Sequence, residues 1–592
     1  MSLLPFRILP QNKVLQSRSI PDISDFGFNN YILLGIAFTA LPVSIQAQTQ
    51  PKDTTVNRTV IVEQQYNPDI MDAAKVNVLP KVEEPSVSKK EVEYATFTTP
   101  ATSIPAGTIG AYTGKEIQPG FIPGYVRLGY GNYGNLDVLA NYLFRLSDRD
   151  KLNVNFKMDG MDGTLDMPFG DTRKWNAFYY RTRANVDYVH QFAKLDLNVA
   201  GNFGLSNFNY EPYGFKKQKF TSGDVHFGVK STDETLPLQY RAETNLMLYG
   251  RQQCQLFGGV NETLIRTLAT VSGSISDEQT VAIGFAMNNL IYGNELKENK
   301  DRIKNIFKSR TTLDLNPYYE LNDDSWRVHV GANVDLSFGN GKAVRVSPDV
   351  KAQYVFSDSY VLYAKATGGR QLNDFRRLET YNPYLDPGQA VRDTYEQLNA
   401  GLGFKASPTP GLWFDIFGGY QNLKDDLYQS ADQWIGGSGA NYIALGQTNT
   451  DNFYAGIKAS YEYKDLFAIS AGGTYYHWNA DAQTTGSKSS DYNEALLMKP
   501  EFDLGIHTEI HPIAALWLNA GYQYTRRAER YTGLYAKSIP AVSNLSLGAT
   551  YRIFKGISAY VKADNLLNKK YQYYLYYPVE GINFVGGLSF RF

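Results

Sequence analysis

The stretch Trp326–Phe338 reads WRVHVGANVDLSF, and its side chains alternate between apolar and polar at every position. The polar set contains Arg327, His329 and Asp335, while the other set is almost entirely aliphatic and aromatic. Successive side chains of a strand point to opposite faces, so this pattern indicates a β-strand with one apolar and one polar face. A soluble strand averages roughly five or six residues, whereas a tilted strand that crosses a bilayer needs about ten.

The same alternation returns along the chain, in residues 178–190, 545–553 and 582–592. The polar faces of these stretches carry many charged side chains, more than the solvent face of a soluble sandwich needs. An apolar face toward lipid and a polar face toward a wet interior account for both sides. The sequence therefore predicts an all-β protein, a transmembrane antiparallel β-barrel.

Short and long connections alternate between the predicted strands, as they do in barrels of the outer membrane. The short ones are rich in Asp, Ser, Asn, Gly and Pro, which favour turns, and lie at 147–150, 193–194, 233–235, 276–278, 322–324, 357–359, 408–410, 464–465, 511–513 and 555–556. The longer ones include 294–310, 373–393, 427–448 and 480–500. Ten turns on the side that holds both chain ends predict about 22 strands within residues 121–592.

Composition agrees with a membrane barrel and excludes some other classes. The chain of 592 residues has 58 basic and 59 acidic side chains, so it lacks the positive charge expected of a nucleic-acid-binding protein. Its 44 Tyr, 32 Phe and 6 Trp make up 14% of the residues, and such aromatics form girdles at bilayer interfaces. A single cysteine, Cys254, rules out an intrachain disulfide.

The first part of the chain predicts export. An apolar run at 31–40 is followed by a proline and a small-residue cleavage pattern that ends at Ala47, as in a secretory signal with a long leading region. We therefore expect a signal peptide at 1–47. Residues 48–120 are interrupted by prolines and lack sustained periodicity, which predicts a short, extended periplasmic or lumenal arm before the barrel.

The C-terminal region contains a motif that we interpret as closing the barrel: Asn565, Asn568, Tyr571, Pro578, Phe590, Arg591 and Phe592. This run resembles the final hairpin of TonB-dependent outer-membrane receptors. The resemblance implies a barrel of about 22 strands around a plugged lumen, in the outer membrane of a Gram-negative bacterium. We expect a conventional plug domain to be missing, because only residues 48–120 lie between the predicted signal peptide and the predicted barrel. The lumen must then be filled by inward loops, by the arm, by a partner or by water.

A second, shorter resemblance to the same family lies in the arm. The segment Thr59, Val60, Ile61, Val62 and Glu63 resembles the TonB box. It implies binding to a TonB-type energy transducer, by adding a strand to an exposed sheet edge of that partner. The alternatives are a short strand that docks inside its own barrel and a β-prone patch without a partner.

The outer loops contain aromatic and charged residues that could bind a ligand. The candidates are Arg376, Arg377, Tyr381, Tyr384, Trp434 and Tyr442. The same side chains could anchor the barrel rim among lipid headgroups or contact a partner protein.

The sequence offers little for catalysis or metal binding. His507, Glu509 and His511 share one strand face and could bind zinc or iron, but polar side chains that face a wet lumen need no metal. Neither a Gly-x-Ser-x-Gly nucleophile motif nor a phosphate-binding loop is present. We expect no catalytic residues, no cofactor and no metal, and the chain is not predicted to be an enzyme.

Two hypotheses for function remain. The first is a receptor-like barrel that transports a solute across the outer membrane. The second is a plugless, receptor-derived barrel that serves as a scaffold in an outer-membrane protein complex. The expected partners are outer-membrane lipid, with a TonB-type transducer or a surface lipoprotein in the first case and other complex subunits in the second. A diffusion porin is disfavoured, because porins usually have fewer strands.

Overall fold

The computed structural model describes residues 123–167, 173–210, 217–233, 235–254, 258–293, 300–339, 341–356, 359–430, 442–481, 494–527 and 539–592. Within these ranges one antiparallel sheet of 22 strands closes on itself. The predicted signal peptide, the predicted arm and the Thr59–Glu63 segment lie outside the described residues, as does Trp434.

The first half of the barrel wall consists of β1 (Gly124–Gly131), β2 (Leu136–Arg145), β3 (Asp150–Asp166), β4 (Lys174–Gln191), β5 (Leu195–Asn209), β6 (Lys217–Ser231), β7 (Gln239–Cys254), β8 (Gly258–Ser276), β9 (Gln279–Gly293), β10 (Arg310–Asn322) and β11 (Trp326–Phe338). The second half consists of β12 (Val344–Phe356), β13 (Tyr360–Gln371), β14 (Thr394–Thr409), β15 (Leu412–Ser430), β16 (Ala444–Tyr463), β17 (Phe467–Ala480), β18 (Pro500–Ile513), β19 (Leu516–Arg527), β20 (Val542–Phe554), β21 (Ile557–Asp564) and β24 (Asn583–Arg591).

A few short elements lie in the loops. Two strands, β22 (Gln572–Tyr574) and β23 (Tyr577–Pro578), form a small hairpin outside the main sheet. Two short helices, α1 (Lys300–Ile306) and α2 (Phe375–Tyr381), follow β9 and β13, and single 3-10 turns occupy Asn132–Gly134 and Glu494–Leu496. Among the described residues, none of the helices is long and apolar enough to cross a membrane.

The barrel closes where the last strand pairs with the first. Val126 of β1 lies opposite Phe590 of β24, and the Gly124 amide donates to the Phe592 carbonyl over 2.8 Å. Since β1 also pairs with β2, the sheet leaves no free edge at this seam. Closure removes the unpaired backbone groups that an open sheet edge would expose to lipid.

The predicted strand number is confirmed. Most short and long connections alternate as predicted, but the β7–β8 connection at 255–257 is shorter than the β6–β7 connection at 232–238. The strand β11 spans Trp326–Phe338, as its periodicity predicts. The connection predicted at 511–513 is displaced, because β18 continues to Ile513 before the chain turns. The loop predicted at 427–448 is shorter than expected, because Ser430 still pairs with Ala444 across β15 and β16.

The outer and inner faces of the wall differ in the way the alternation predicts. On β11, Val330 is 48% exposed on the outer surface, whereas Asp335 is 2% exposed on the inner one. On β6, Val225 faces outward next to the buried Asp224. An apolar outer surface that continues around the barrel is stable against lipid rather than water.

Candidate functional site

The loop between β13 and β14 crosses the barrel interior. We call residues 372–393, which include α2, the lid loop. The lid loop begins and ends on neighbouring strands, since Gln371 pairs with Thr394. It nevertheless contacts side chains of β4 through β8, which lie several strands away around the wall. The lid loop must therefore lie across the lumen, on the side of the long loops, which face outward in barrels of this kind.

Local sequence explains why a helix forms within the lid loop. The Asp374 carboxylate caps α2 by accepting a hydrogen bond from the Arg377 amide over 2.8 Å. The Phe375 amide donates to both oxygens of Glu262 on β8, over 3.0 and 3.2 Å. Phe375 and Leu378 are buried beneath the helix. The positive end of the helix thus points at a carboxylate of the opposite wall.

Two charged side chains of α2 bind the wall directly. Nη2 of Arg376 lies 2.6 Å from Oδ2 of Asp224, a β6 side chain that is almost fully buried. Glu379 accepts hydrogen bonds from the Tyr249 hydroxyl over 2.6 Å, from Nη2 of Arg183 over 3.2 Å and from the Ser206 hydroxyl. The lid loop is therefore held by charge-assisted hydrogen bonds to four different strands, β4, β5, β6 and β7.

The surroundings of Glu379 favour its ionised form. Burial alone would raise the pKa of Glu379, but the charge of Arg183 and the hydrogen bonds from Ser206 and Tyr249 outweigh it. The pKa of Glu379 is therefore held below its usual value. The carboxylate is consequently charged at neutral pH, while it fastens the lid loop to the wall.

An aromatic core seals the lumen around the lid loop. Tyr384 stacks flat on Tyr577, with ring centroids 3.7 Å apart, and meets Trp175 and Phe208 edge-on. Tyr577 belongs to the loop at 565–582, which we call the hairpin loop because it contains β22 and β23. The lid loop, the hairpin loop and the wall thus share one buried cluster, which we call the seal.

A row of polar side chains runs along the inner wall and ends at the lid loop. Asn155 donates to Asn185 over 3.3 Å, Asn185 to Asn202 over 2.6 Å, and Asn202 to Asp224 over 2.9 Å. These residues lie directly opposite one another on β3, β4, β5 and β6. Because Asp224 also binds Arg376, the row connects the polar wall with the lid loop.

The structure brings most of the predicted loop residues together. Arg376, Arg377, Tyr381 and Tyr384 all belong to the lid loop, and Tyr442 packs edge-on against Tyr210 at 4.6 Å. Tyr384 and Tyr442 are 2% and 4% exposed, so they lie in the seal and not at the lipid interface. Sequence reasoning missed Glu379, Asp224, Arg183 and Tyr249, because alternation assigns a side chain to the lumen without naming its partner across it.

The C-terminal motif divides between the hairpin loop and the wall. Asn565 and Asn568 adopt left-handed backbone conformations, with φ of 51° and 49°, which Asn tolerates better than most residues. The Asn565 side chain accepts from the Lys569 amide and donates to the Glu580 carbonyl. Tyr571 is buried and Pro578 pairs with Gln572. Phe590 and Arg591 end the closing strand, and Phe592 follows it.

His507, Glu509 and His511, near the end of β18, form separate contacts and do not converge on one point. Nε2 of His507 lies 3.1 Å from Oε1 of Glu509, and His511 stacks on Trp517 with centroids 4.7 Å apart. Within the described ranges, no group of three His, Cys, Asp or Glu side chains is arranged to hold a metal ion.

Neutralising Glu379 is expected to loosen the lid loop and reduce its response to acid. A carboxylate whose pKa is lowered by folding stabilises the docked loop above its ordinary pKa, about 4, and loses this effect as the pH falls below that value. We expect Glu379→Gln to weaken docking at neutral pH by about 1 to 3 kcal/mol, the cost of an impaired buried hydrogen-bonding group. Hydrogen exchange of residues 373–393 between pH 7 and pH 3 measures both effects. Equal acid-induced exchange in the wild type and the variant would contradict this role of Glu379.

Comparisons with solved structures identify the fold. The chain is similar to the siderophore receptor PirA from Pseudomonas aeruginosa, with a TM-score of 0.56, 10% identity and coverage of 80% of each chain. It is similar to the FrpB iron transporter from Neisseria meningitidis, with a TM-score of 0.60, 10% identity and coverage of 80% of this chain and 82% of that one.

The copper transporter OprC has a TM-score of 0.55 and 11% identity, again with 80% of each chain covered. No protein-family model matches the sequence, and neither does any curated protein. The resemblance to TonB-dependent receptors that the C-terminal motif suggested is thus confirmed for the fold. The chain has the β-barrel fold of these receptors and transporters, here with 22 strands.

Proposed function

We propose that the protein transports a solute across the outer membrane of a Gram-negative bacterium, and that the lid loop is the gate. The observation that carries this proposal is the course of the lid loop from β13 across the lumen to β5, β6 and β7. The fold shared with an iron transporter and a copper transporter supports the same function.

The contacts of the lid loop suit a closure that can be reversed. Its partners on the wall, among them Asp224, Arg183 and Tyr249, are polar side chains that water or a solute can satisfy after the loop leaves. The tyrosines of the seal have hydroxyl groups that tolerate a wet surface. The wall below is lined by the asparagine row, which is compatible with a hydrated passage. The described residues contain no feature that specifically favours the scaffold alternative.

Opening a gate of this size requires energy, and the outer membrane has no ATP of its own. We propose that the segment Thr59–Glu63 supplies the coupling by adding a strand to a TonB-type energy transducer. Its β-branched residues and its place in the predicted periplasmic arm support this role.

Deleting residues 59–63 is expected to abolish uptake while the barrel remains in the membrane. Mass spectrometry of the culture medium, compared between null cells and cells with the restored wild-type gene, identifies the solutes whose depletion requires the protein. The deletion variant should deplete these solutes no faster than null cells. Deletion of residues 85–89, a stretch of equal length in the same arm, is the matched control and should leave depletion unchanged.

The two parts of the proposal fail in different ways. If null and wild-type cells deplete every solute equally, the transport function is wrong. If the wild type depletes a solute and the 59–63 deletion does so at the same rate, transport stands and the proposed coupling segment is wrong. Immunoblots of outer-membrane fractions show that each variant is present at the same level.

A further inference from the structure

A buried arginine near the seal lacks the carboxylate partner that several other lumenal arginines have. Arg527 ends β19 on the lumenal face and is 3% exposed. Its Nε and Nη1 atoms have no hydrogen-bond partner within the part of the chain that the structure describes. Among the described residues, no carboxylate oxygen lies within the 4.0 Å of an ion pair with its guanidinium. By contrast, Arg310 and Arg376 lie 2.5 and 2.6 Å from carboxylate oxygens of Asp393 and Asp224.

The surroundings of Arg527 are polar and belong to several elements. The Tyr573 hydroxyl of the hairpin loop donates to Oε1 of Gln523 over 3.3 Å. Gln523 lies four residues before Arg527 on β19, on the same face of the strand. Tyr573 interacts electrostatically with both Arg527 and Asp564. Asp503, opposite Thr525 on β18, also interacts electrostatically with Arg527.

Asp564 on the other side of Tyr573 is also incompletely satisfied. It is 2% exposed, and neither of its carboxylate oxygens has a hydrogen-bond partner in the described ranges. Its Oδ2 atom lies 3.5 Å from Nζ of Lys562, so its charge is partly balanced. Tyr573 of the hairpin loop thus interacts with a cationic group, Arg527, and an anionic group, Asp564, each of which has two hydrogen-bonding atoms without a partner among the described residues.

We propose that Arg527 binds the carboxylate or phosphate group of an anionic solute in the lumen, beneath Tyr573 of the hairpin loop. A buried charge without a partner is costly, and a guanidinium matches the geometry of planar and tetrahedral oxyanions. Asp503 and Asp564 disfavour a bare anion, so the solute also carries hydroxyl or ammonium donors for these carboxylates. This inference rests on the proposed transport function for its biological meaning and names the substrate class.

Binding is measured on the purified, full-length protein in detergent, with inorganic phosphate and lactate as probes. Isothermal titration calorimetry should show saturable binding of at least one probe to the wild type. In Arg527→Gln the affinity should fall at least about thirtyfold, which corresponds to about 2 kcal/mol for loss of a buried charged partner. Arg527→Lys keeps the charge and should retain part of the affinity.

The neighbouring Arg526 provides a matched control. It pairs with Glu501 at 3.5 Å and is 53% exposed on its side chain, on the opposite face of the same strand. Arg526→Gln should therefore bind the probes as the wild type does. If neither probe binds saturably to the wild type, the proposal is overturned, because water alone would then satisfy Arg527. Equal affinities of the wild type and Arg527→Gln would overturn it as well.

Thermal unfolding separates a binding role from a structural one. A saturating probe should raise the melting temperature of the wild type and leave that of Arg527→Gln unchanged. Without a probe, Arg527→Gln should unfold at the same or a higher temperature, because it removes an unpaired buried charge. A marked loss of stability without a probe would identify Arg527 as a structural residue and contradict the site. Saturable binding in a protein that depletes no solute would refute the transport function alone.

Discussion

A variant in which a short Gly–Ser linker replaces residues 374–391 is expected to form a wide, water-filled pore. The linker can span the gap, because Gln371 and Thr394 already pair across β13 and β14. The replacement removes α2 with its ties to Asp224 and to the Tyr249 hydroxyl. It also removes Tyr384, against which Tyr577 of the hairpin loop is stacked. A 22-stranded barrel without such a closure is wider than the porins whose lumens conduct water and ions.

Conductance across planar lipid bilayers measures this effect. The purified wild type should give no sustained current, and the variant should give long-lived steps at least as large as those expected of a porin-sized lumen. The same linker inserted into the short connection between β2 and β3 is the matched control, and it should behave as the wild type. If the variant conducts no better than the wild type, the lid loop is not what closes the lumen.

Sequence alone predicted the wall of the barrel well, for a local reason. The bounds of β11 follow from residues adjacent in the chain, because alternation reports which face each side chain occupies. The short connections follow from turn-forming residues in the same way. The error at Ser430 arises because the polar end of β15 continues to pair beyond Tyr428. The error at Ile513 arises because β18 continues through Pro512, and Ile513 then pairs with Leu516 of β19.

The closure of the lumen could not be predicted in this way. Glu379 is 196 residues from Arg183 and 130 from Tyr249, two of the three wall residues that it binds. Periodicity fixes neither the height of a side chain in the lumen nor the strand that it faces. Tyr384 and Arg376 were identified as loop residues with binding chemistry, and loops usually lie at the surface. Here the loop turns inward, so the same residues form a buried seal.

Cross-linking the lid loop to the wall is expected to stop transport reversibly. Leu385 of the lid loop forms a parallel β-bridge with Ile443, beside the start of β16. Bridged residues lie about 5 Å apart, within the range that a disulfide can span. In a Cys254→Ser background, the double substitution Leu385→Cys and Ile443→Cys should fasten the lid loop when oxidised. A disulfide between Val330→Cys and Val350→Cys, which joins the outer faces of β11 and β12, is the matched control.

The most direct test of the gate is therefore solute depletion by cells that carry the cross-linked lid loop, measured before and after a reductant is added. Mass spectrometry of the purified protein establishes that the disulfide has formed in nearly all molecules. Our account predicts depletion at the rate of null cells while the disulfide is intact, and recovery to the wild-type rate after reduction. The control disulfide should change neither rate. Wild-type depletion with the lid loop fully cross-linked would contradict the account, because solute would then cross the membrane without opening this gate.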